Sequence, residues 1–172
     1  MTRIGEKMIE ELIKLSEAAV VAMTILGEAE GEPWAGKVMV AETIVNRAKA
    51  SGGSLKYECL KANQFSCWNG EEQQRKLINR AACYENNSPA RNATHPPATL
   101  ERSDCGLGSV AGGQAWRDCK EIARSVCQAG YQSTTTATHY YAPALRSVPP
   151  VWVKNMKLAA VVGGHRFYRE TK

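Results

Sequence analysis

In the segment ILGEAEGEPWAGK, residues 25–37, carboxylates stand at every second position: Glu28, Glu30 and Glu32. A carboxyl group does acid–base chemistry near neutral pH when its surroundings keep the proton on it. Glu28 is placed for this. The apolar run before it reads as the end of a helix, where a side chain faces the negative end of the helix dipole and several unpaired carbonyl oxygens. Both disfavour the ionised form and are expected to push the Glu28 carboxyl up, as burial beside Trp34 or Phe65 would. Glu30 lies about 200° further round such a helix and reads as a solvated surface residue. Glu32 comes one turn after Glu28, within reach of the same cleft. Pro33 takes it off the helix, so it is also placed to bond the free amides at the start of the next one.

Two short motifs hold further groups able to meet a substrate. NQFSCW, residues 63–68, offers an amide, a hydroxyl and two aromatic rings. Phe65 is expected to be its buried plug, with Gln64 and Ser66 lining a cleft. ATHYYAP, residues 137–143, puts Tyr140 and Tyr141 on opposite faces of a strand, so that one packs inward while the other meets substrate; Tyr140 is favoured for the second role. Asn46 and Arg47 stand behind the Glu28 site, with Arg47 expected in a structural ion pair. His139 and His165, with one glutamate, are the right types for a zinc ion with an open position. No tight His-Glu-x-x-His spacing supports that, and each histidine followed by aromatics reads as a packing residue. No metal and no cofactor are expected.

The elements that must position these groups follow from periodicity. Ile9, Leu12, Ile13, Ser16, Val20 and Met23 recur at three- and four-residue steps, which predicts a first helix from about residue 6 to about residue 29. Gly31 is expected as its C-terminal glycine, and Pro33 as the start of a second helix with a stripe of Val38, Ala41, Val45 and Ala48 that ends at ASGGS. Residues 84–114, rich in Asn, Pro, Ser and Gly, read as a long loop or insertion. GQAWRDCKEIARSVCQAG, residues 113–130, reads as a helix with Trp116, Cys119, Ile122, Ala123 and Val126 on one side and Gly130 as its stop. TTTATHYYAP and VWVKNMKLAAVVGGHRFYRE favour short strands.

The 172 residues fit a single domain, 1–172, with 44% apolar and 23% charged residues. No apolar run approaches the ~20 residues of a membrane span, so membrane insertion is not expected. Glu6, Glu10, Glu11, Lys14 and Glu17 interrupt the region where a secretion signal must be apolar, and none is read there. The net charge of +5 is either a solubility surplus or steering toward an anionic partner such as nucleic acid or a wall polymer. Six cysteines lack the close Cys-x-x-Cys pairing of a zinc ribbon. Buried thiols and disulfides both remain open, except that Cys119 and Cys127, about 12 Å apart along a helix, should not pair with each other.

The blocks EAEGEPWAGKVMVAETIVNR, NQFSCW, ATHYYAP, PPVWV and GGHRFYR, in this order, resemble the motifs of the SleB-type cell wall hydrolases, spore cortex-lytic enzymes and their phage and bacterial relatives. The resemblance covers about residues 20–169. It implies an α+β, mostly helical, lysozyme- or lytic-transglycosylase-like domain with a small β-sheet. It implies peptidoglycan glycan strands as substrate; a monomer and no nucleic-acid partner are expected. The insertion at 84–114 is longer than the family pattern. In the family the first glutamate of the Glu-Ala-x-Gly-Glu block is the catalytic one, which here is Glu28. Glu32, Gln64, Phe65, Ser66, His139, Tyr140 and Tyr141 are the expected substrate contacts.

A second catalytic carboxylate, about 5 Å away in a retaining hydrolase and about 6.5–9.5 Å in an inverting one, has no clear candidate. The expected reaction is therefore the single-glutamate cleavage of the N-acetylmuramic acid to N-acetylglucosamine bond that leaves a 1,6-anhydro end. A chain without a secretion signal fits a phage endolysin held in the host cytoplasm until release. The alternatives are a zinc-dependent peptidoglycan amidase or peptidase and a wall-binding module without catalysis.

Overall fold

The structure, a computed structural model, describes residues 14–86, 110–146 and 148–171. Among these residues five α-helices, α1 Glu17–Ala29, α2 Trp34–Ser51, α3 Leu55–Leu60, α4 Glu71–Asn86 and α5 Val110–Val126, precede a sheet of β1 His139–Tyr141, β2 Met156–Val162 and β3 His165–Glu170. The expectation of a mostly helical α+β chain with a small sheet is met.

Helix α1 is the hub. Every residue from Val20 to Leu26 is buried, and a helix apolar all round belongs in the middle of a bundle; α5, α2, α3 and α4 all pack on it. This corrects the reading of one amphipathic helix from about residue 6. Ser16 is the N-cap and no stripe residue: its Oγ accepts the Ala19 N–H at 3.2 Å, satisfying one of the free amides of a helix that starts at Glu17. Ile9, Leu12 and Ile13 lie outside the described residues.

The corner between α1 and α2 is tight, as expected, but Gly31 does not make it by a left-handed turn. Glu30 at the C-cap keeps helical angles (φ −53°, ψ −46°), and the turn closes through the Glu32 N–H to the Ala29 carbonyl at 3.1 Å. Extended Pro33 (φ −61°, ψ 162°) then launches α2. That helix ends as its sequence indicated, at left-handed Gly52 (φ 69°), whose N–H returns to the Ala48 carbonyl. Midway along the bundle, Lys37 of α2, only 4% exposed, is paired with Asp118 of α5 at 2.9 Å.

The expected loop 84–114 is shorter at both ends: α4 runs to Asn86 and α5 already starts at Val110, while residues 87–109 lie outside the described residues. Cys59, Cys67, Cys119 and Cys127 are free thiols, whereas Cys83 is disulfide-bonded. Burial pushes the Cys59 and Cys119 thiols up to about 12, so they remain neutral packing groups.

The sheet order is β1-β3-β2, antiparallel throughout, with Tyr140 opposite Phe167 and Val162 opposite His165 across the Gly163-Gly164 turn. Phe167, Ala160, Val162 and Tyr140 pack on Ala29, Met39 and Val40 of the helical layer. On the other face, the Trp152 ring meets Tyr141 and Tyr168 edge-on, at 6.1 and 5.4 Å.

Candidate active site

Glu28 is the penultimate residue of α1, and three donors converge on its carboxylate. Oε1 accepts from the Ser66 hydroxyl at 3.0 Å and from the Cys67 N–H at 2.9 Å; Oε2 accepts from the Tyr140 hydroxyl at 3.1 Å. These donors come from a loop and a strand far apart in sequence, so each needs its own anchor.

The loop is held along α1 by complementary chemistry. The Trp68 indole N–H donates to Thr24 Oγ1 at 2.9 Å, one turn before Glu28, and the Thr24 hydroxyl itself donates to the Val20 carbonyl. Phe65 is the buried plug that was expected, 2% exposed, with the Arg47 guanidinium over its ring at 5.2 Å. The closest approach falls at Gly27: a Cβ there would lie 2.5 Å from Cys67 Cβ and 3.3 Å from a Leu77 methyl. A glycine is required if the Ser66–Trp68 turn is to come within bonding distance of Glu28.

The strand is held from behind by α2. Asn46 Nδ2 donates to the Thr135 and Ala137 carbonyls, at 2.9 Å each, and Arg47 Nε donates to the Thr138 carbonyl. Both residues therefore support the Glu28 site as expected, but Arg47 forms no ion pair among the described residues. Its Nε meets the carbonyl and its guanidinium covers the Phe65 face, while Nη1 is buried without a hydrogen-bond partner; burial pulls its pKa down despite nearby Tyr140 and Glu58. Tyr140 lies against Phe167 at 5.5 Å and His165 at 5.2 Å. Burial first, and then the Glu28 charge, push its phenol well above the ordinary value, so it remains a hydroxyl.

Sequence reasoning missed Glu42, a fully buried carboxylate of α2. Oε1 accepts from the Tyr131 hydroxyl at 2.8 Å and the Thr134 N–H at 2.9 Å, Oε2 from the Thr135 N–H at 3.0 Å, and the Thr134 hydroxyl bonds both oxygens. A buried carboxylate persists only when its oxygens are satisfied. Here it fixes the irregular segment 131–135 that feeds β1. The available signal was a lone acid inside the apolar stripe AETIV and the donor-rich YQSTTT downstream.

Two of the glutamate readings are corrected. Glu30 is not a free surface residue; it pairs with Arg80 of α4 at 2.6 Å and accepts from the Tyr84 hydroxyl. Glu32 bonds no amide of α2, and Pro33 at that N-cap has no side-chain cap at all. Instead its Oε2 accepts the Gly164 N–H at 2.9 Å, and its Oε1 stands 3.3 Å from His165 Nδ1.

Of the remaining site candidates, Gln64 donates to the buried Glu58 at 3.0 Å. His139 shares a hydrogen bond with the Thr138 hydroxyl and lies 5.1 Å from the Trp152 ring; burial, then Arg47, pull its pKa down. Tyr141, 9% exposed, is enclosed by Trp152 and Tyr168. Trp34 is 45% exposed. The structure thus brings together Glu28, Ser66 and Tyr140, with Phe65 beneath them. Among the described residues no three His, Cys, Asp or Glu side chains converge as a metal-binding group.

This arrangement suits a group that changes protonation state. A hydroxyl can donate to a carboxylate oxygen or accept from a protonated one, so Ser66 and Tyr140 can follow the proton on Glu28. Glu28 is half-buried beside the exposed Ser66, so the pair lies at the surface of the domain.

Residues 31–168 match the family described as cell wall hydrolase, a span that begins just beyond Glu28 and includes the other site candidates. Two solved structures align with the chain. The catalytic domain of the germination-specific lytic transglycosylase SleB from Bacillus anthracis is 17% identical, with 91% of this chain and 98% of that one covered and a TM-score of 0.49. The catalytic domain of the SleB protein of Bacillus cereus is also 17% identical, with 89% of each chain covered and a TM-score of 0.47. No curated protein matches the sequence.

Proposed function

Because the chain belongs to the cell wall hydrolase family, we propose that it cleaves the glycan strands of peptidoglycan, at the bond from N-acetylmuramic acid to N-acetylglucosamine, with Glu28 as both acid and base. The observation that carries this reading is the Glu28 carboxyl held between two hydroxyls and one amide at the end of α1. In the first step Glu28 gives its proton to the departing oxygen as the bond to muramic C1 breaks. In the second, the carboxylate takes the proton of the muramic C6 hydroxyl while that oxygen bonds to C1, and a 1,6-anhydro end results. Acid and base assistance of this kind is worth ~10²–10⁴-fold.

A single-carboxylate route is supported by what the neighbouring acids do. Glu30 is engaged by Arg80 and Tyr84, Glu32 by the hairpin turn, and Glu42 by segment 131–135. The proposal extends to a monomeric phage endolysin that waits in the host cytoplasm. Under that role, expression inside cells should leave them intact until the membrane is permeabilised from outside.

The decisive experiment is mass spectrometry of purified peptidoglycan after digestion. Anhydro-muramyl ends are expected, and reducing muramyl ends would mean hydrolysis by water. Glu28→Gln, nearly isosteric, should retain the circular dichroism melt and lose at least ~10²-fold in lysis rate. Wild-type lysis by a folded Glu28→Gln variant would remove Glu28 from the chemistry.

A further inference from the structure

One carboxylate, that of Glu32, touches both the corner from which Glu28 projects and the hairpin that closes the sheet. Its side chain is 16% exposed and that of His165 only 8%. One oxygen holds the Gly164 N–H at 2.9 Å, which is all that is needed to tie corner to hairpin. The other stands 3.3 Å from Nδ1 of His165, a buried nitrogen with no hydrogen-bond partner of its own. The His165 ring in turn lies T-shaped against Tyr140 at 5.2 Å and tilted against Phe167 at 6.0 Å. Tyr140 reaches the Glu28 carboxylate.

Resting on the reading of Glu28 above, we infer that Glu32 and His165 are positioning residues for the reaction: Glu32 orients the His165 ring, that ring and Phe167 form the wall that sets Tyr140, and Tyr140 sets the second oxygen of Glu28. The first and last acids of the Glu-Ala-Glu-Gly-Glu segment are thereby linked through the sheet, over a path that leaves the helix corner and returns to it. The turn is shaped for this. A Cβ at Gly163 would lie 1.7 Å from Glu32 Oε2 and one at Gly164 would lie 3.0 Å from Oε1, so the carboxylate occupies the space that side chains there would fill.

A merely structural latch and a positioning device differ in how their loss combines with the loss of the Tyr140 hydroxyl. Glu32→Gln keeps an oxygen for the Gly164 N–H and removes the charge facing His165. Tyr140→Phe keeps the ring and removes the contact to Glu28. Each should lower kcat about 10-fold, within the ~10²-fold that a 1 Å misplacement can cost, with KM within about 2-fold of wild type. In the double variant, Glu32→Gln should add nothing to Tyr140→Phe, because the group through which it acts is already gone. His165→Phe, which keeps a ring against Tyr140, should retain more kcat than His165→Ala. Additive losses in Glu32→Gln/Tyr140→Phe, or a Glu32→Gln variant with wild-type kcat, would overturn the inference. Glu28→Gln measured alongside separates the two levels: if it is inactive while the cycle is additive, only the positioning role fails, and if it is active the acid–base reading itself fails.

Discussion

Glu28 and Glu30 are two residues apart, and the ~200° between them on α1 separates the loop side of the helix from its α4 side. Glu28 faces Ser66, Cys67 and Tyr140, while Glu30 faces Arg80 and Tyr84. Glu30→Gln keeps an acceptor for Tyr84 and loses the charge opposite a half-exposed arginine, so it should cost about 0.5–1 kcal/mol, the range of exposed or half-exposed ion pairs. Chemical denaturation should show that loss while the lysis rate remains at wild type. A reduced rate in a variant that is still folded would place Glu30 in the active site after all. The periods of 3.6 and 2 placed Glu28 and Glu30 on different helix faces and Tyr140 and Tyr141 on different strand faces, while the family resemblance singled out Glu28. The partners of Glu30 and Glu32 were not legible, because they stand 50 and 132 positions along the chain, where a local pattern carries no information.

Among the connecting elements, Gly31 and Gly163 both lie in turns, and the structure separates them. A Cβ at Gly31 would meet nothing within 4 Å, and the residue lacks a positive φ; Gly163 has φ 57° and Glu32 in the space its Cβ would occupy. Gly31→Ala should therefore change stability by no more than about 0.5 kcal/mol. Gly163→Ala should destabilise by about 1–3 kcal/mol through backbone strain alone and also unseat Glu32. Thermal melts of the two variants test this directly, and equal melting temperatures would mean that the hairpin yields without cost. Pro33 and Gly52 could be read because each acts on its own backbone, whereas the Gly163-Gly164 hairpin was not read inside a stretch that favours strands throughout. Helix α4 escaped because EEQQRKLINRAACYEN opens with six polar residues and buries only a few positions such as Leu77, Ala81 and Cys83. The Ser16 cap escaped because it falls in step with the three- and four-residue spacing of the sequence from Ile9 to Met23.

For the molecule as a whole, the Lys37 and Asp118 pair ties α2 to α5 and sets an acid limit. Burial pushes the Asp118 carboxyl up, but hydrogen bonds from Lys37 and Gln114 outweigh it and leave the pKa below the ordinary value. A depressed folded-state pKa means stability that is fully present above the unfolded value, ~3.9 for aspartate, and lost as pH falls through the lower folded value. Wild type should thus lose melting temperature below about pH 4 faster than Asp118→Asn, which should begin lower at neutral pH; parallel curves would exclude this pair as the source. The net charge of +5 bears on encounter with an anionic wall. Affinity for purified wall should weaken between about 0.01 and 0.15 M salt, as screening shortens from ~30 to ~8 Å, with turnover less affected. An unchanged binding constant would leave the charge as a matter of solubility. The buried Glu42 also governs the order of events during synthesis. All of its partners come from residues 131–135, some 90 positions after it leaves the ribosome, and Asn46 and Arg47 likewise wait for residues 135–138. Until that segment emerges, the carboxylate keeps its water, because burial without donors would cost several kcal/mol. Helix α2 therefore cannot seal its inner face against a nascent chain that stops short of Tyr131, and the helical layer closes only when the strand that delivers Tyr140 arrives, so the bundle and the candidate site are completed in one late event.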